Sequence, residues 1–187
     1  TRITFHSYDE VGNLLSVSKD GAKRISYQYA HRLELPVAQA NNATPGQIFY
    51  EGFEDASGNS GEYDSKAGRK SRTGGYTRLL SNVPNGIYNL TYFQKANGTW
   101  TPVTVPNIAV SNTSYTINLA GQVDEIRFCP REATMTTYTY NPLEGITSIT
   151  DENNFTTYYE YDTFQRVSKI KDPDKSVIKQ FNYHYKE

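Results

Sequence analysis

Residues 47–131 hold the side chains with the most chemical potential. Seven acids lie there: Glu51, Glu54, Asp55, Glu62, Asp64, Asp124 and Glu125. Two of them would suffice for a glycosidase-type acid pair. A segment of this length leaves little room for a cleft that encloses a sugar chain, so catalysis is not expected. The same acids could give a calcium ion part of the six to eight hard oxygens it needs. Aromatic and polar side chains are also plentiful: Trp100, Tyr92, Tyr76 and Tyr63, with Arg78 and Asn97. That supply suits a sugar-stacking surface with a few hydrogen-bonding groups. Against this, Phe49, Phe53, Tyr88, Leu90 and Tyr92 alternate as core positions do, so Tyr92 fits packing better than a stacking platform. Trp100 is either an exposed surface for stacking or a filler at a sheet edge. His6, His31 and His184 lie outside the segment beside tyrosines and form no triad spacing. Cys129, in "IRFCP", reads as buried and inert.

The elements that position these residues must be strands. Tyrosine occurs 16 times, Trp and Met once each. Tyr and Thr favour pleated surfaces, and Asn and Gly favour tight turns. No convincing helix is present; "LELPVAQA" (33–40) comes nearest, and Pro36 interrupts it. A single cysteine excludes an intrachain disulfide framework and a thiolate zinc site. Charge is balanced, 19 basic against 20 acidic residues, which gives no electrostatic case for nucleic acid. No apolar run is long enough for a membrane helix, so no membrane insertion is expected. The chain opens on Thr1 in mid-pattern, as an excised or mature piece would.

A phrase recurs along the chain. Tyr140 is followed by Ile146, Ile149 and Asp151, and Tyr161 by Val167, Ile170 and Asp172, at +6, +9 and +11. Tyr8 is followed by Leu14 and Val17 at +6 and +9. This beat suggests a stacked β-hairpin unit, which cannot bury its apolar face alone. The stretches "YDEVGNLLSVSKDG" (8–21) and "YEYDTFQRVSKIKD" (159–172) resemble the repeats of the Rhs/YD-repeat family. The likeness covers about residues 1–30 and 134–187. It implies hairpins that pair into one sheet in a bacterial extracellular, secreted or cell-surface protein, with neighbouring YD repeats as partners.

Between these flanks the beat vanishes. Residues 32–46, rich in Pro, Asn and Ala, read as a linker after a hairpin over 1–31. Residues 47–131 read as six to eight short strands with frequent turns, a β-sandwich, before further hairpins over 132–187. "FYEGFED", "SKAGRKS", "GIYNLTYFQKANGTW" and "GQVDEIRFCP" together resemble a galactose-binding-like jelly roll of carbohydrate-binding modules. The fold expected is therefore all-β, a jelly-roll sandwich inserted between paired hairpins. The resemblance also implies a structural Ca2+ held by Glu54, Asp124 and the carbonyls of residues 66–70. The expected function is non-catalytic glycan binding by Trp100, Tyr92, Tyr76, Tyr63, Arg78 and Asn97. The alternative is a spacer or protein-interaction module of a toxin shell or adhesin, without sugar affinity.

Overall fold

A computed structural model describes residues 1–187 except 31, 33, 56–63, 142 and 185–187. The chain is all-β and antiparallel, and the only helical turn among the described residues is a 3-10 turn at Pro45–Gln47. Nine strands form one sheet. They are β1 (Ile3–Tyr8), β2 (Leu14–Lys19), β3 (Ile25–Ala30), β4 (Leu35–Asn41), β11 (Thr134–Asn141), β12 (Gly145–Thr150), β13 (Thr156–Tyr161), β14 (Val167–Lys171) and β15 (Val177–Gln180), in that spatial order. The chain leaves this sheet after β4 and returns to it in β11, which pairs directly with β4. The stretch read as a linker is thus in large part a central strand. Pro36 is tolerated because it stands at a register shift beside Tyr29, where the regular ladder is interrupted.

The tyrosine beat has a physical cause. Each tyrosine sits just after a register shift in its hairpin, at Ser7/Tyr8, Gln28/Tyr29, Thr139/Tyr140 and Glu160/Tyr161. Except at Tyr8, which lies on the edge strand β1, its hydroxyl then reaches the preceding strand of the sheet. Tyr29 donates to the Leu14 carbonyl at 3.2 Å, Tyr161 to Ile146 at 2.8 Å and Tyr183 to Val167 at 2.8 Å. Leu14, Ile146 and Val167 are the +6 residues of the preceding units. The aspartates make the turns. Asp9 Oδ1 accepts from the backbone N–H of Val11 and Asn13, and Asp162 Oδ1 from Phe164 and Arg166. Asp151 and Asp172 repeat the pattern two and four residues on. In each turn one residue is left-handed: Gly12, Asn154, Gln165 or Lys175.

The inserted strands form two further sheets. A four-stranded sheet has the order β5 (Phe49–Glu51), β10 (Gln122–Pro130), β7 (Gly86–Ala96), β8 (Thr99–Val110). A two-stranded sheet pairs β6 (Tyr76–Ser81) with β9 (Ser114–Leu119). Between them lies a core of Phe53, Leu80, Tyr88, Leu90, Ile117, Val123, Ile126 and Phe128. Tyr88 and Tyr115 both stack on Phe128. β8 is an edge strand, which accommodates Pro102 and Pro106. At Pro106-Asn107, where the residue types alone would suit a turn, β8 runs on through a bulge: Asn107 is left-handed, and its N–H donates to Asn89 Oδ1 at 3.1 Å. β7 and β8 join through Asn97-Gly98, both at positive φ, as a two-residue hairpin turn requires.

The four-stranded sheet also packs on the nine-stranded one, so the molecule has three layers. Apolar contact is made by Tyr50 and Cys129 with Val37, Ala38, Ala40 and Met135. The side-chain amide of Gln28 bonds both the carbonyl (2.7 Å) and the N–H (2.8 Å) of Tyr50, which completes the outer edge of β5.

Candidate functional site

The interface between these two layers is polar, and a bulge in β10 creates it. β10 pairs Asp124 with Phe93 but Arg127 with Thr91, one residue too many for regular pairing. Glu125 takes up the excess at φ 53°. Val123 before the bulge and Ile126 and Phe128 after it all enter the sandwich core. Asp124, Glu125 and Arg127 are therefore turned toward the large sheet. All three are almost fully buried. Glu125 accepts from the hydroxyls of Tyr50 and Thr137, the latter at 2.6 Å. Arg127 donates to the Asp151 carbonyl at 2.7 Å and to the Asn154 side chain. Burial pushes the Asp124 carboxyl well above the usual range, and adjacent Glu125 adds to it. Burial likewise raises the Tyr50 phenol.

Asp124 and Glu54 meet the loop at 66–70, but through different atoms than expected. Asp124 Oδ2 accepts from the N–H of Lys66 (2.7 Å) and Ala67 (3.1 Å), and Oδ1 from Glu125 N–H (2.8 Å). Glu54 Oε1 accepts from the N–H of Arg69 (2.8 Å) and Lys70 (2.9 Å). The loop turns amide donors, not carbonyls, toward both acids. Two of the carbonyls are bound elsewhere: Lys66 O by the Tyr158 hydroxyl at 2.6 Å and Gly68 O by Ser65 at 3.0 Å. This donor set does not fit Ca2+, which needs converging oxygens. No group of three or more His, Cys, Asp or Glu among the described residues could hold a metal. Glycine is favoured at position 68, because φ is 61° and a Cβ would force the Glu54 carboxylate off the Arg69 and Lys70 amides.

The proposed sugar ligands do not form one surface. Tyr76 packs edge-on against Phe53 at 5.2 Å, and burial lifts its phenol to about 12. Tyr92 packs against the sandwich core. Arg78 is exposed on β6. Asn97 is exposed in the β7–β8 turn. Tyr63 lies outside the described residues. Arg78 lines a cavity beside the Pro45–Gln47 turn, and Trp100 lines a different cleft, so the two do not share a site.

That cleft, of about 270 Å3, lies where the β7–β8 tip meets the large sheet. Trp100 and Tyr158 supply its aromatic faces, and Lys66, Lys175 and Asp174 its charges. Trp100 stands opposite Lys95, whose ammonium lies 5.6 Å from the indole centre and pairs with Asp64. Lys66 Nζ lies 5.2 Å from the Phe93 ring and 5.8 Å from that of Tyr158, and donates to the Pro173 carbonyl at 3.3 Å. Lys175 Nζ lies 5.5 Å from the same Tyr158 ring. Burial lowers the Lys66 ammonium below its ordinary range, and the nearby Lys175 charge lowers it further.

Tyr158 and Lys175 are not among the residues expected to form a site, and Lys66 is expected only through its carbonyl. No local signal joins the turn at 172–176 to a hairpin tip near 98. A second cavity, of about 320 Å3, lies between Tyr29, Val37 and Tyr138 of the large sheet and the segment Tyr50–Asp55. No helix among the described residues is long and apolar enough to cross a membrane. The chain matches no family model, and no curated protein matches it significantly.

Proposed function

We propose that the chain is a non-catalytic glycan-binding segment, with the cleft between Trp100 and Tyr158 as its sugar site. The observation that carries this reading is the cleft itself: two aromatic rings and several polar groups converge on one open space. A volume of about 270 Å3 suits about one sugar ring, at the small end of ligand sites. The repeated tyrosine and aspartate contacts support a carrier of YD-repeat type, and the two-sheet insert is compatible with a module of jelly-roll kind. On that reading the parent is a bacterial surface or secreted protein. Retention on an immobilised polysaccharide panel, with Trp100→Ala as control, tests the proposal. Retention of the parent chain and its loss in the variant are expected; equal behaviour of both would refute it.

One observation favours a second reading. The buried contacts of Glu125 and Arg127 fix the insert to the large sheet, as a rigid spacer within a larger shell or adhesin would require. A chain that binds no glycan while Trp100 emission stays fixed would support that reading.

A further inference from the structure

Resting on the glycan reading, we infer that the cleft selects a sugar ring bearing a carboxylate, a uronate-type residue, held between Lys66 and Lys175. Both ammonium groups lie over the same Tyr158 ring, at 5.8 and 5.5 Å. Neither is in an ion pair among the described residues, in contrast to Lys95 with Asp64 and Lys171 with Glu160. Two like charges facing one aromatic surface repel each other; burial first and then the Lys175 charge lower the proton affinity of Lys66, and Asp174, Asp124 and Glu125 offset only part of this. An anion between them relieves it. Asp174, also on the cleft, accepts from a sugar hydroxyl, Thr99 offers a hydroxyl, and Ser65, whose hydroxyl donates to Gly68 O, can accept. Trp100 provides the ring face.

The remaining chemistry favours a carboxylate over a phosphate. Phosphate sites commonly combine clustered backbone N–H groups with arginine forks or with a lysine point charge beside those amides. Here the nearby loop amides of Lys66 and Ala67 are already given to Asp124, and those of Arg69 and Lys70 to Glu54. What remains is a pair of lysine point charges beside aromatic faces, Lys66 held by the Pro173 carbonyl and Lys175 on an exposed turn, which suits a carboxylate on a stacked ring.

Calorimetric titration of the whole chain with oligogalacturonate, its methyl-esterified form and inorganic phosphate tests this. The acid form should bind about tenfold or more tighter than the ester, as expected for one charge-assisted contact. Added salt should reduce that advantage. Lys175→Gln, on an exposed turn, should remove the preference while leaving residual binding of the ester. Equal affinity for acid and ester would overturn the inference and leave the glycan reading standing. No binding of either sugar, with no response in a wider panel, would overturn both. Tighter binding of phosphate than of the acid sugar would also overturn the inference.

Discussion

The hydroxyl of Tyr140 donates to the carbonyl of Pro36 at 2.7 Å, although 104 residues separate them. Tyr29, Tyr161 and Tyr183 make the same contact to a strand only 15 or 16 residues back. The insert therefore lies inside one repeat step: β4 and β11 sit together as if residues 42–133 were a hairpin loop. Removing the Tyr140 hydroxyl tests this directly. Tyr140→Phe should cost about 1 kcal/mol in denaturant unfolding, the usual net worth of one hydrogen bond. Tyr8→Phe, at a residue 55% exposed on the edge strand, should cost little. Equal effects of the two would remove the ladder's special status.

The turn residues offer a test of opposite sign. Gln165 and Lys175 are held at φ 61° and 63°, where side chains other than glycine are strained by about 1 kcal/mol. Gln165→Gly should raise stability by up to about 0.5–1 kcal/mol, and Gly12→Ala, at φ 94°, should lower it by about 1 kcal/mol. The shift in denaturation midpoint reads both.

The interlayer contacts should be costly to break. Glu125→Ala leaves the hydroxyls of Tyr50 and Thr137 buried without their acceptor, and a loss of about 2–4 kcal/mol is expected. Glu125→Gln keeps an acceptor oxygen and should cost less. If Glu125→Ala melted like the parent, these contacts would not hold the layers together.

Alkaline pH should unfold the chain. Burial lifts the phenols of Tyr76 and Tyr140 to about 12 and raises those of Tyr50 and Tyr158. In an unfolded chain these groups ionise near ~10. Folded-state pKa values above the unfolded value mean stability is complete below pH ~10 and falls as pH rises toward 12. Tyrosinate absorbance should therefore appear together with loss of the fold. Ionisation of all tyrosines near 10 in a still-folded chain would contradict it. Cys129, whose thiol burial pushes to about 11, should resist thiol reagents at pH 8 until denaturant is added.

Metal removal should have no effect. Both Glu54 and Asp124 are bound by amide donors, so excess chelator should leave Tm unchanged. A clear drop would show that a cation binds them in solution.

The tyrosine period was legible because one contact repeats at one spacing, and the turns because aspartate side chains cap them locally. The strand β4 was not: Pro36 and the alanines disguise it, and its partner β11 arrives far later in the chain. The β10 bulge was only faintly written, in the consecutive acids of "VDEIRF", where strict alternation would place one acid in the core. Trp100 beside an Asn-Gly turn stood out. Its companions Tyr158 and Lys175 could not, since only the docking of two layers brings them together.

The most direct measurement is an amide chemical-shift titration with an acidic oligosaccharide. Binding at the layer junction predicts that Gly98–Thr101, at the hairpin tip, and the 174–176 turn of the large sheet shift together with one dissociation constant. Shifts confined to one of the two segments, or found only near the second cavity at Tyr50–Asp55, would contradict it.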